Sequence, residues 1–204
     1  MSTAPAAKQA HVWERDPLDW YVEPASVTTG LARVEKLAGR IWDPCCGGGN
    51  IVTALREAGH NAYGTDVVRR VDDARWFLGE RDFLTGAPKL PLWNCLVMNP
   101  PFFGSKGAEA FIRRAHELRH PTAWLIAAFV DVRFLAGAAR AAGLYADLPP
   151  SRVWLVTPRV SCPPGSYLAA GNKAGNGSAD WCWLVWDLRH PRGATELNWL
   201  KVTP

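Results

Sequence analysis

The 204-residue chain lacks any apolar run near the roughly 20 residues that cross a bilayer, so no membrane-spanning protein is expected. Its opening residues, MSTAPAAKQAHVWERD, lack the apolar stretch of about 7–15 residues that a signal peptide carries, and a cytoplasmic protein is expected. No CxxC pair occurs among Cys45, Cys46, Cys95, Cys162 and Cys182. An odd number of cysteines without a leader implies reduced thiols, and the adjacent Cys45 and Cys46 suit neither a zinc site nor an easy disulfide. Long Lys/Arg runs are missing too. The net charge of +4 is compatible with nucleic acid but does not demand it. Internal repeats and Pro/Ser linkers are absent, so one domain is expected over 16–204, preceded by a flexible tail over 1–15. What is present is ordinary for a globular protein: 48% hydrophobic and 21% charged residues, enough to exclude global disorder.

From residue 40 the chain alternates short apolar runs with helical patterns. Arg40–Asp43 reads as a strand, Asn50–Ala58 as a helix stopped by Gly59, and Asn61–Thr65 as a second strand. Asp72–Leu78 reads as a short helix and Asn94–Met98 as an apolar strand. Ser105–His120 is the clearest helix, with Ala108, Phe111, Ile112 and Ala115 on one stripe and Pro121 as its stop. Thr122–Val130 reads as a strand and Val132–Ala142 as a helix closed by Gly143. This alternation predicts an α/β protein with a parallel sheet covered on both faces. Arg152–Arg159 and Ala179–Asp187 then read as an antiparallel hairpin. Between them lies a loop, 160–178, in which no helix fits; a loop that long in a small domain is commonly functional.

Two segments carry chemistry. The first is Asp43-Pro44-Cys45-Cys46-Gly47-Gly48-Gly49-Asn50, set between a strand and a helix. Glycines there let a ligand approach the backbone, and a helix start offers free N–H groups. Asp66 stands 19 residues after Gly47 at the end of the next strand. That is near the ~20-residue offset at which an acid takes a ribose hydroxyl pair. A nucleoside-bearing cofactor is the natural reading, with tight strand–helix packing as the plain alternative. A dinucleotide fingerprint would need glycine where Val52 stands, and a phosphate loop would need Gly-Lys-Ser/Thr. Asp43 would repel a pyrophosphate but suits an α-amino group, such as that of S-adenosylmethionine (SAM).

The second segment is Asn99-Pro100-Pro101-Phe102, directly after a strand. Paired prolines could simply stop the strand. They could also preorganise acceptors for an amine: the Asn99 side-chain oxygen and the Pro100 carbonyl, aimed at the two hydrogens of an exocyclic N–H₂. Phe102 would give a planar base a face to stack on.

With these residues in place the chain resembles the class I SAM-dependent methyltransferases, specifically the N6-adenine branch that carries Asn-Pro-Pro-Phe. The resemblance covers roughly 18–187. It implies a Rossmann-like fold with a mostly parallel seven-stranded sheet ending in an antiparallel hairpin. It implies SAM as cofactor, held by Asp43, Cys45, Gly47 and Gly49 of the glycine loop and by Asp66 on the ribose. Val67 would lie beside the adenine, and Asp82-Phe83 would form a third cofactor segment, with Asp82 accepting from the SAM amino group. Asp19-Trp20-Tyr21-Val22-Glu23-Pro24 resembles the segment that packs near the methionine end, which adds Tyr21 and Pro24. Asn99, Pro100, Pro101 and Phe102 would be the catalytic residues. The implied partner is nucleic acid, DNA before RNA; a protein glutamine amide presents the same kind of amine, and a catalytically silent binding protein is the remaining alternative. There is little room for a separate recognition domain, so Phe103, Arg159 at the base of the 160–178 loop and Lys173 within it are the expected substrate contacts.

Eleven tryptophans are many for this length. Core packing is the expected role for most of them, including Trp154, Trp181, Trp183 and Trp186. His116 and His120 stand four apart, but no third ligand accompanies them, so no metal site is expected.

Overall fold

The computed structural model describes residues 13–86, 92–103, 106–175, 177, 179–189 and 193–203. Eight strands form one sheet: β1 (Arg40–Asp43), β2 (Asn61–Asp66), β3 (Phe77–Glu80), β4 (Cys95–Met98), β5 (Leu125–Asp131), β6 (Arg152–Thr157), β7 (Trp181–Asp187) and β8 (Glu196–Lys201). Their order is β3-β2-β1-β4-β5-β7-β6-β8. Strands β3 to β5 run parallel, β7 is antiparallel to both β5 and β6, and β8 lies parallel to β6. The helices are α1 (Ala25–Val34), α2 (Asn50–Glu57), α3 (Lys106–Glu117), α4 (Ala138–Ala142), α5 (Leu144–Asp147) and α6 (Gly165–Ala169).

Strand alternation sorts the core into two layers. Ile41, Val97, Ala127, Phe129, Trp183 and Val185 share one core cluster with Leu31 of α1 and Leu55 of α2. Trp42, Leu96, Met98, Ile126, Ala128 and Leu184 share the other with Phe111 and Ile112 of α3. Each of the larger aliphatic side chains among them contributes roughly 1.5–3 kcal/mol on burial.

Four expectations need correction. Asp72–Leu78 is not helical: Asp73 has φ +42°, which a helix cannot accommodate, and Phe77 instead starts β3 opposite Gly64. The helix expected over 132–142 is broken at Gly137, whose extended ψ of 120° separates a 3-10 turn (Val132–Ala136) from α4. The sheet has eight strands rather than seven. Only Leu200 of β8 is buried, so this edge strand has no alternating apolar pattern to betray it. The 160–178 loop contains α6, and Val160 and Cys162 ahead of it are buried.

Helix α1 was not legible either, because Thr28, Thr29 and Gly30 are weak helix formers. Gly30 has a packing reason: a Cβ there would stand 3.2 Å from Val202 and 3.3 Å from Leu200, so the glycine lets α1 lie close on β8.

The topology positions the site. Strand order reverses beside β1, with β2 on one side and β4 on the other. Asp43 ends β1, Asp66 ends β2 and Asn99 follows β4, so all three meet at the carboxyl edge where open α/β sheets hold ligands.

Candidate active site

A cavity of about 290 Å³ opens at that edge, lined among others by Tyr21, Glu23, Asp43, Cys45, Gly47, Asp66, Val67, Asp82, Phe83, Asn99, Pro101 and Phe103. Eleven of the seventeen expected site residues line it. The glycine loop is tied across to the end of β2: Gly47 N–H donates to Asp66 Oδ2 at 2.8 Å and Cys46 N–H to the Thr65 carbonyl at 3.0 Å. Asp66 Oδ1 also accepts from Val68 N–H at 3.0 Å and Arg70 Nη1 at 2.8 Å. A carboxylate accepts about four hydrogen bonds, so capacity remains for a ligand hydroxyl.

The second glycine does different work. Gly49 has φ +87° at the N-cap of α2, and a Cβ there would stand 2.2 Å from Trp76. It serves the turn and the close packing of Trp76, and it is not among the cavity-lining residues. Nor are Pro24, which caps α1, or Pro100. Phe83 is buried against Trp42 and Phe111 and forms one wall. Asp82 lines the cavity, but its oxygens accept from Leu84 N–H, Thr85 N–H and the Thr85 hydroxyl, closing its own turn.

The cavity is acidic. Glu23, Asp43 and Asp66 are all buried. Burial pushes the Asp43 carboxyl well above the usual carboxylate range, and the nearby Glu23 and Asp66 charges push it the same way. Glu23 is pushed up to about 7, again by burial. Such a site favours a ligand that brings positive charge.

Trp20, in the Asp19–Pro24 segment but given no role of its own by the sequence, lies across the glycine loop. A Cβ on Gly47 would stand 2.5 Å from Trp20 Nε1, and one on Gly165 would stand 2.1 Å from the indole ring. The Arg70 guanidinium lies 4.7 Å from the centre of that ring while it pairs with Asp66. Trp20 is therefore gripped between the glycine loop, α6 and Arg70. The 160–178 segment is what holds the 16–22 segment here: Gly165 N–H donates to the Trp20 carbonyl at 2.7 Å, Val22 N–H to the Pro163 carbonyl at 2.9 Å, and the Ser166 hydroxyl to Asp16 at 2.8 Å.

At the Asn-Pro-Pro-Phe segment, Asn99 Nδ2 donates to the Tyr21 carbonyl at 2.9 Å and to Glu23 Oε2 at 2.7 Å. The Cys45 thiol reaches the Asn99 backbone carbonyl at 3.5 Å. Asn99, Pro101 and Phe103 face the first cavity. Phe102 faces a second, more open one of about 560 Å³, lined also by Trp13, Arg15, Arg133, Phe134, Arg140 and Trp181. Asp19 and Tyr21 line both cavities and form the partition between them.

Two expected substrate residues stand elsewhere. Arg159 pairs with Asp180 at 2.6 Å on the surface, and Lys173 is exposed; neither lines either cavity. Arg15, Arg133, Phe134, Trp181 and Trp13 occupy the second cavity instead, and only folding brings them together. Trp183 and Trp186 are buried in the core as expected, whereas Trp181 stacks on Phe129 at 5.2 Å with its other surroundings in the second cavity. His120 Nε2 accepts from Trp93 N–H at 3.1 Å, which occupies one of its ring nitrogens.

No family model and no curated protein sequence matches this chain. Solved structures do. A candidate RNA methyltransferase from Pyrococcus horikoshii is similar with a TM-score of 0.59 at 13% identity, over 83% of this chain and 88% of that one. A candidate hemolysin from Lactococcus lactis is similar with a TM-score of 0.55 at 13% identity, over 89% of this chain and 93% of that one. A TehB-like SAM-dependent methyltransferase from Corynebacterium glutamicum gives a TM-score of 0.49 at 14% identity, over 79% and 86%. The chain shares the Rossmann-like α/β fold of the first two of these structures, with β8 at the edge of its sheet. Among the described residues no helix is long and apolar enough to cross a membrane.

Proposed function

We propose that the protein is a SAM-dependent N6-adenine methyltransferase that acts on nucleic acid, with DNA as the first substrate to test. The observation that carries this reading is the state of Asn99. Both of its Nδ2 hydrogens are spent on Tyr21 and Glu23, which leaves Oδ1 to accept from an amine at the first cavity, which Asn99 lines.

The residues fit the cofactor. The three buried carboxylates suit its sulfonium and ammonium charges, Asp66 retains capacity for a ribose hydroxyl, and Phe83 and Val67 offer apolar walls to a base. When bound, SAM supplies an electrophilic methyl group. The rest falls to this chain. An exocyclic amine is a poor nucleophile because its lone pair is delocalised into the ring. Asn99 Oδ1, accepting one N–H, draws electron density back onto the nitrogen and fixes its direction. The prolines that follow hold this acceptor in place with few backbone degrees of freedom.

The second cavity suits the acceptor. Phe102, Phe134, Trp13 and Trp181 give it aromatic faces, and Arg15 and Arg133, 58% and 89% exposed, stand at its rim where phosphates would pass. An adenine in duplex DNA would have to leave the stack to enter it. Incubation with methyl-labelled SAM and separate DNA, RNA and protein pools tests the reading. Label in N6-methyladenine of DNA is expected. Label only in RNA or in glutamine would move the substrate, and SAM binding without transfer to any pool would refute an enzyme.

A further inference from the structure

Glu23 belongs to neither the glycine loop nor the Asn-Pro-Pro-Phe segment, and a buried carboxylate at that position has a cost that needs a reason. We infer that Glu23 is a positioning residue: its carboxylate, together with the Tyr21 carbonyl, holds both Nδ2 hydrogens of Asn99 and thereby aims Oδ1 at the methyl acceptor. This rests on the methyltransferase reading above, but its geometry is independent of the substrate.

An asparagine amide can present either end, because its oxygen and nitrogen are nearly the same size. Its partners decide which end faces out. The Tyr21 carbonyl and an ionised carboxylate can only accept, so the nitrogen turns towards them, at 2.9 and 2.7 Å. The oxygen is then the end left over, which is what an N–H₂ substrate requires. A neutral glutamine at 23 could donate as well as accept, which would leave the Tyr21 carbonyl as the one partner here that favours this orientation. The charge of the carboxylate therefore carries information that a neutral acceptor lacks.

Protonation would blur the same signal, since a carboxylic acid O–H can donate to Oδ1 of a reversed Asn99. Burial pushes Glu23 up to about 7, which puts this change within the working range of an enzyme. The titratable groups facing it are Asp43 and Cys45 at the end of β1 and Cys162 ahead of α6. Burial raises both thiols, which keeps them neutral, so Asp43 is the one neighbouring carboxyl that could also change charge.

The test has two arms. In the first, the side-chain amide signals of Asn99, identified by their loss in Asn99→Ala, are followed against pH by ¹⁵N NMR without substrate. They are expected to shift with a midpoint near 7 in the wild type and to show no such step in Glu23→Gln. In the second, methyl transfer to the acceptor is measured from about pH 6 to about pH 8. The wild-type kcat is expected to rise across this range. Glu23→Gln is expected to be about tenfold slower at the upper end and flat with pH. Asn99 signals that ignore pH in the wild type, or that titrate equally in Glu23→Gln, would overturn the inference, as would a variant with the wild-type kcat and profile. If no pool accepts a methyl group, the methyltransferase reading fails while the first arm still decides what Glu23 does.

Discussion

The backbone N–H of Phe103 donates to the carboxylate of Asp19, which also takes two hydrogen bonds from Arg15, each at 2.7 Å. The Asp19 side chain is only 2% exposed. One buried carboxylate thus ties the entry segment to the turn that follows the two prolines, and it does so at the partition between the cavities. Asp19→Ala would leave the Phe103 N–H without its acceptor. A loss of about 1–3 kcal/mol is expected in urea unfolding. Because Asp19 sits at φ +51°, alanine also adds backbone strain; Asp19→Asn, which tolerates that region, isolates the loss of charge. An unchanged unfolding midpoint in both variants would mean that this tie is incidental.

Glu23 should cost stability as the pH rises. Its carboxyl is raised from an ordinary 4.5 to about 7, so the folded state prefers the protonated form. That preference stabilises fully below about pH 4.5 and is lost as pH climbs through about 7. By linkage, the loss is on the order of 3 kcal/mol. Glu23→Gln is therefore expected to gain stability relative to the wild type between pH 5 and pH 8, measured by urea unfolding at each pH. A difference that stays constant with pH would remove Glu23 as the titrating group. The charge that orients Asn99 and the charge that destabilises the fold are the same one, a trade familiar at functional sites.

Asp66 should matter for the cofactor more than for the chemistry. Asp66→Asn keeps the shape of the side chain but loses charge-assisted acceptance from Gly47, Arg70 and a ribose hydroxyl. SAM affinity measured by calorimetry is expected to fall by about 1–3 kcal/mol. Unchanged affinity would take the ribose role away from Asp66.

Asn99→Ala makes the opposite demand. It removes Oδ1 but leaves the glycine loop and the acidic cavity intact. SAM affinity is expected to hold, while turnover falls about 10²–10³-fold, as for the loss of one preorganised polar group. Wild-type turnover in this variant would exclude Asn99 as the group that polarises the amine.

The parts of this site that could be read in the sequence are those built from neighbours in the chain. Asp43 to Gly49 and Asn99 to Phe102 each carry a local constraint, glycine freedom in one and proline rigidity in the other, and local constraints leave a local signature. Arg70 leaves none, and Trp20 and Glu23 stand in a segment whose resemblance assigns neither of them a role. Trp20 matters because Gly165, far along the chain, packs on its indole, and Glu23 because Asn99 comes to lie 2.7 Å away. The same distinction explains the errors. Trp76-Phe77-Leu78 carries apolar side chains that fit a helix stripe as well as a strand, and the ladder with Gly64 decides the matter. Arg159 and Lys173 earned notice by their place at the base of and within a long loop, but the loop folds back on Trp20 and neither residue lines either cavity. Replacing the whole of 160–178 would thus strip buried Val160 and Cys162 from the core and dismantle the cofactor side, not just a substrate contact.

Among the described residues, arginines and not lysines stand at the rim of the aromatic cavity. Arg133 is 89% exposed at the rim of the aromatic cavity, and its partner Asp131, 2.7 Å away, is held at the end of β5. The guanidinium is the solvated member of this pair, so it can turn from its carboxylate to a phosphate while staying in water. Each phosphate contact releases about one counterion, and the steepness with which binding falls with salt counts those contacts. Arg133→Ala is therefore expected to weaken binding to a short single-stranded DNA several-fold and to lower the salt slope by about one. Lys173→Ala, which alters an exposed residue on neither cavity, is expected to change neither quantity. Fluorescence anisotropy at a series of salt concentrations reads both. If Lys173→Ala lowered the slope and Arg133→Ala did not, the nucleic acid would run along the 160–178 loop, and the aromatic cavity would lose its claim to the target base.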